Sequence, residues 1–201
     1  MQDSPTGAKA ILVGGRTVEL RFMGPGDRDA MLLFAGALPP HDLLFLRRDI
    51  SEPAGVEAWL RDIERGDVTT LLAFDGCDLR GYVTLHRNSL RWSRHVAELR
   101  VVVASTCRGG GLGRALTEAA FRLALEAGIE KIVARMTPDQ KGAIAVFEGL
   151  GFRAEALLRD EVKDRDGNAH DLLVMSHRVA DFQDMLDAYG VSAALGEAGA
   201  C

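Results

Sequence analysis

Cysteine is scarce in this chain: Cys77, Cys107 and Cys201 are odd in number, and none stands at CxxC spacing or beside a histidine that would complete a ligand set. That excludes a disulfide framework and a thiolate metal site, and free thiols in a reducing, cytoplasmic setting are expected. No run of about 18 apolar residues occurs anywhere, and residues 1–6 carry no basic flank, so neither a membrane span nor a secretion signal is expected. A basic excess is also lacking. The net charge of −5 supplies no field for a phosphate backbone, so nucleic acid is not an expected partner. What is present is ample apolar material: 47% of 201 residues are hydrophobic, enough for one domain with a sizeable core and some extension.

The chain is organised around the stretch 101–116. The β-branched run Val101-Val102-Val103 gives way to Arg108-Gly109-Gly110-Gly111-Leu112-Gly113-Arg114, after which Leu116, Ala119, Ala120, Leu123 and Ala124 recur on one helical face. Strand, glycine turn and helix follow in that order. Glycines allow backbone N–H groups to converge on one point, and a helix N-terminus adds partial positive charge there, so the turn suits a phosphate or pyrophosphate. No lysine follows these glycines, which excludes a P-loop. Arg114 and Leu116 stand where a dinucleotide fingerprint needs its third glycine, which excludes that reading also.

The pattern that remains, Arg108-x-x-Gly111-x-Gly113, resembles the Arg/Gln-x-x-Gly-x-Gly/Ala signature of the GNAT superfamily of acyl-CoA-dependent N-acyltransferases. A second segment is similar to the family's Asn-x-x-Ala-x-x-x-Tyr helix with a Gly-Phe after it: here Gln140, Ala143 and Phe147, closed by Gly151-Phe152. The likeness covers roughly residues 69–179. It implies an α/β (α+β) fold, a mixed and mostly antiparallel central sheet with helices on both faces. It also implies acetyl-CoA as co-substrate, with no metal, and acyl transfer to a small-molecule amine or a protein amine; a homodimer is left open.

The linear pattern agrees with such a fold. Residues 1–15 are expected to be loose, 16–179 to form the domain, and 180–201 to add a short helix and a loose tail. Strands are expected at 17–22, 69–74, 79–86, 95–103, 131–136, 152–162 and 170–179. Helices are expected at 27–37, after a Ser51 N-cap as far as Gly66, after the glycine loop, and from Pro138 to about Gly149. The strand–helix–strand unit around the loop implies parallel pairing by a right-handed crossover. The resemblance implies that the helical pair lies over the acceptor site with residues 43–48 as a lining loop; the alternative is that the apolar residues here simply dock the helices on the sheet.

In the family the strand before the loop splays from its parallel neighbour, which would expose the backbone of Val101, Val102 and Val103 to pantetheine. One N–H there would face the thioester oxygen. The loop residues Arg108, Gly109, Gly110, Gly111, Leu112, Gly113 and Arg114, together with Gln140 and Phe147, are the further implied CoA contacts. Glu98 interrupts an otherwise apolar strand start and is the candidate base. Partial burial is expected to raise its pKa, and pairing with Arg100 is the purely structural alternative. His86 and His95 are weaker candidates. Phe147 lacks the hydroxyl that many relatives aim at the leaving sulfur, so Tyr82 is considered either as a substitute acid or as a packed strand aromatic. Cys107 has no sequence-adjacent base and reads as a loop residue. A CoA-binding sensor without turnover is the second function class, motivated by Phe147 and the missing asparagine.

Overall fold

The computed structural model describes residues 9–44, 46–87, 90–164 and 166–182. Eight strands form one sheet: β1 (Lys9–Val13), β2 (Arg16–Phe22), β3 (Val68–Asp75), β4 (Asp78–Arg87), β5 (Val96–Val103), β6 (Lys131–Met136), β7 (Arg153–Lys163) and β8 (Ala169–Arg178). Their spatial order is β1-β2-β3-β4-β5-β6-β8-β7. Among the described residues only β5 and β6 pair in parallel, joined by the crossover helix α4 (Leu112–Glu126). The mostly antiparallel mixed sheet matches the sequence expectation.

Alternation along the central strands sorts two cores. Val83 and Leu85 of β4, with Ala97 and Leu99 of β5, pack beneath the α4 stripe of Leu112, Leu116, Ala120, Phe121 and Ala124. Tyr82 of β4 and Val102 of β5 point the other way, onto α1 (Arg28–Gly36) and α3 (Pro53–Glu64), among Met31, Phe34, Val56 and Trp59. Gly81 permits a close approach of β4 to β5: a Cβ there would stand 2.8 Å from the Val102 carbonyl oxygen. On the second core's floor Trp59 Nε1 donates to Thr70 Oγ1 at 3.0 Å, so its indole N–H is satisfied although buried.

Several boundaries differ from expectation. Residues 9–13, read as loose, form the edge strand β1; Lys9-Ala10-Ile11-Leu12-Val13 turns back at Gly14-Gly15 and pairs with β2. The N-cap of α3 is Glu52 rather than Ser51, whose backbone N–H and hydroxyl both bond Asp49. After α1 ends at Gly36, Pro40 opens a short helix not expected from the sequence, α2 (Pro40–Leu43). Helix α5 (Lys141–Gly149) begins at Lys141, not Pro138, because Thr137–Gln140 form a turn closed by Gln140 N–H to the Thr137 carbonyl. At the C-terminus residues 179–182 start a helical turn, and Phe182 stacks on Phe121 at 4.2 Å. The rest of the expected tail helix, including Met185, Leu186 and Tyr189, lies outside the described residues, as does Cys201.

Candidate functional site

Pairing between β5 and β6 runs from Val96↔Lys131 to Leu99↔Ala134 and stops. Both strands continue, β5 to Val103 and β6 to Met136, so from Arg100 onward they diverge. On the other side, β5 stays paired with β4 as far as Val103↔Gly81. Ala104 N–H donates to the Arg80 carbonyl at 2.8 Å, which fixes the phase of that antiparallel ladder. Residues of even number on β5 bond to β4, and the N–H and C=O groups of Val101 and Val103 point into the gap. Val102 instead bonds β4 and buries its side chain against α1 and α3. The sequence placed Val101, Val102 and Val103 together; the structure assigns the open edge to the first and third.

The gap opens toward the glycine loop. Gly109 sits at φ +76° and Gly111 at φ +90°, values an L side chain rarely adopts, and Gly111 is the N-cap of α4 with no side-chain bond to it. The first intrahelical bond is Ala115 N–H to the Gly111 carbonyl. The N–H groups of Leu112, Gly113 and Arg114 are therefore left free of helix partners at the positive end of a 15-residue helix. Gly113 is helical, and a Cβ there would meet only the Val103 side chain at 3.7 Å. The loop is backed by the β1–β2 turn, since a Cβ at Gly14 would stand 3.2 Å from the Gly110 carbonyl. Sequence reasoning missed that support; the signal was the Gly14-Gly15 pair between two alternating runs.

The cationic side chains of the loop are committed within the protein. Arg108 donates to the Val103 carbonyl at 3.4 Å and pairs with Asp42 of α2. Arg114 Nε donates to Glu118 at 2.9 Å. On the far side of the gap, His41 Nε2 lies 2.9 Å from Asp139 Oδ2 in the turn after β6. Adjacent residues of α2 thus reach the ends of both diverging strands, so this helix lies across the open end of the gap. Gln140 caps α5 through its backbone only, which leaves its amide side chain unused by the helix.

Glu98 lies on the opposite face of β5 from α4, and His86 of β4 is directly across from it. Its carboxylate accepts from Arg100 at 3.0 Å and pairs with Arg135 of β6. Burial works to raise its pKa, but the hydrogen bond from Arg100 and the charges of Arg100, Arg135 and Arg47 outweigh burial and hold the carboxyl below its ordinary value. The expected raised pKa is therefore corrected. The Arg100 pairing is the structural alternative expected from sequence, and Arg135 enters because β6 returns parallel to β5. His86, 7% exposed, is pushed down to about 4, first by burial and then by Arg47, so its imidazole is neutral at pH 7. His95 is exposed at the outer start of β5, where its backbone carbonyl accepts from Glu130 and Lys131.

Tyr82 is 1% exposed, edge-on to Trp59 at 5.0 Å and to Phe34 at 6.0 Å. Burial pushes its phenol far up, so the proton stays on and the residue packs as a core aromatic rather than serving as an acid. Phe147 is 6% exposed and meets Phe152 edge-on at 4.8 Å, on the α4 side of the sheet. Cys107 is partly buried, a free thiol 3.8 Å from the Thr106 hydroxyl. Between the α2–α3 connection and the sheet lies a shallow cleft of about 20 Å³, lined by Arg47, Arg48, Trp59, Thr84, His86 and Arg100 among others. A larger cavity, about 360 Å³, sits at the opposite end of the sheet between Phe22, Arg87 and Leu123, away from the loop. Among the described residues no group of His, Cys, Asp and Glu side chains is placed to hold a metal, and no helix is long and apolar enough to cross a membrane.

A mixed sheet whose one parallel pair splays beneath a glycine loop defines a class of acyl-CoA-binding transferase folds. The chain belongs to the acetyltransferase (GNAT) family, whose profile matches residues 39–152. It is 32% identical over 150 residues to the mycothiol acetyltransferase of Streptomyces scabiei, which covers 72% of this chain but only 45% of that protein. The chain thus spans less than half the length of that relative. Among solved structures, yncA from Salmonella typhimurium, determined with its cofactor acetyl-CoA, superposes with a TM-score of 0.69 at 21% identity, over 81% of this chain and 94% of that one. The spermidine N-acetyltransferase of Vibrio cholerae, in complex with CoA and spermine, gives 0.70 at 18% identity, over 83% and 98%. At these identities the likeness is one of fold.

Proposed function

We propose that this protein transfers an acetyl group from acetyl-CoA directly to an amine. The observation that carries the reading is the open edge of β5, which presents Val101 and Val103 to the gap and ends at the glycine loop. Pantetheine pairs with that edge, and the pyrophosphate sits on the N–H groups of Leu112, Gly113 and Arg114, with Gly109, Gly110 and Gly111 shaping the turn and Arg108, Gln140 and Phe147 around the gap. A neutral amine attacks the thioester carbonyl. The C–N bond forms, and the carbonyl electron pair moves to oxygen, where a β5 N–H stabilises it by about 2.7–4 kcal/mol. Collapse breaks the C–S bond and expels CoA as thiolate, which takes a proton from water; with a thiol pKa of about 8.5 as a guide, it leaves without a dedicated acid.

The proton on nitrogen passes to Glu98 and from it to solvent, which replaces the proton that the thiolate takes from water. Because its arginines keep Glu98 ionised, it is always in the accepting form but is a weak base. The same guanidinium groups disfavour an ammonium ion nearby, so the acceptor enters as the free amine. Incubation with acetyl-CoA and a broad amine panel, reading released thiol and N-acetyl product by mass spectrometry, tests the reading. Thiol and product in equal amounts support it. CoA binding with no product from any amine supports instead the sensor reading that the missing hydroxyl at Phe147 favours.

A further inference from the structure

We infer that the amine acceptor carries an acidic group, a carboxylate or comparable oxyanion, and that Arg47 and Arg48 hold it in the cleft between the α2–α3 connection and β4. The inference rests on the acetyl-transfer reading above. The cleft is shallow, about 20 Å³, little more than the room one water needs, so an acceptor would meet it at the mouth with a terminal group only. Three arginines, Arg47, Arg48 and Arg100, line it among the apolar side chains of Leu46, Ile50, Trp59 and Tyr82, in a chain whose net charge is −5, and Arg135 reaches Glu98 beside it. The carboxylates that face this cluster are already engaged. Glu98 takes Arg100 and Arg135, while Asp62 takes Arg48 and Arg65. Asp49, nearby in sequence, turns its carboxylate to Ser51.

Arg48 spends only one end of its guanidinium on Asp62. Its Nη1 is buried and, among the described residues, has no hydrogen-bond partner. Such a donor is costly to leave unmet, and an oxyanion is the group that meets it most strongly. Arg47, exposed at the mouth, is close enough that its charge is felt at both Glu98 and His86. An acid bound here lies on the same face of the sheet as Glu98, beside Arg100, which immediately precedes Val101 of the open β5 edge. A polycationic amine would instead face an excess of guanidinium groups.

The experiment compares acceptors that differ only in the acid: leucine with isoamylamine, phenylalanine with 2-phenylethylamine, and leucinamide and spermidine beside them, with kcat/KM expressed per free amine. The expected result is a preference of at least about tenfold for the acid-bearing member of each pair, and poor use of spermidine. In Arg47→Gln and Arg48→Gln that ratio should fall toward one; Arg47→Gln, at an exposed position, guards against a fold defect in the other. Turnover of isoamylamine or spermidine as good as that of leucine overturns the inference and leaves acetyl transfer standing. Product from no amine at all removes both.

Discussion

Leu99 pairs with Ala134, and beyond it no residue of β5 has a partner on β6. That single end of register converts the middle of a sheet into a binding edge. The divergence has physical supports on both sides. Val103 offers its carbonyl to Arg108, which Asp42 holds in place, and the turn after β6 is tied to α2 through His41 and Asp139. The edge is kept open by side chains from three separate parts of the chain.

Glu98→Gln removes the proton acceptor while keeping its shape, so turnover should fall by about 10²–10⁴ with acetyl-CoA affinity little changed. Because the carboxyl is held below its ordinary value, it should produce no limb in the neutral range. The rise of kcat/KM with pH should instead track the amine pKa of whichever acceptor is used. Profiles for two acceptors of different basicity decide this, and a limb near pH 6–7 common to both would contradict it.

His86 links the site to stability. Its folded pKa of about 4 lies below the ordinary 6.5, so between those values the unfolded chain binds the proton and the folded one resists it. Stability is intact above about pH 6.5 and is lost as pH falls toward 4, by at most about 3 kcal/mol. His86→Gln should flatten that part of a denaturation-versus-pH curve, leaving the loss at lower pH where Glu98 protonates away from Arg100 and Arg135. An unchanged slope between pH 6.5 and 4.5 would show that His86 is not the group responsible.

The strand–loop–helix at the centre was legible because β-branched residues, glycines and a helical stripe follow one another without interruption, and Lys131 to Met136 read as a strand with the bounds it has. Lys9–Val13 was legible in principle through its alternation and the Gly14-Gly15 turn, but a glycine- and alanine-containing start disguised it. The state of Glu98 was not legible. Arg100, two residues on, is the largest lowering influence, but Arg135, 37 residues away in the chain, and Arg47 of an irregular connection add to it, and no periodicity gives their placement. Nor could spacing tell that Asp42 would occupy Arg108, since α2 is one turn long and starts at a residue that reads as a breaker.

Phe147 fills the place where the family resemblance puts a tyrosine, and here it is a core ring against Phe152. Phe147→Ala should therefore cost about 3–5 kcal/mol of stability. Phe147→Tyr adds one hydroxyl, and if thiolate departure limits the rate, turnover should rise. Melting temperature and CoA affinity measured together in the alanine variant separate the roles: lost stability with intact affinity makes the ring purely structural, while loss of both places it against pantetheine.

Hydrogen exchange with and without acetyl-CoA examines the binding edge itself. On binding, the amides of Val101 and Val103 and those of Leu112, Gly113 and Arg114 should slow, while Val102, already bonded to β4, changes little. Gly113→Asp is the control: an acidic residue is favourable in a first helical turn, so the fold should hold while charge repulsion abolishes the protection. Acetyl-CoA that binds without slowing Val101 and Val103, or that binds Gly113→Asp as well as the parent, would contradict the assignment of the β5–β6 gap as the acyl-CoA site.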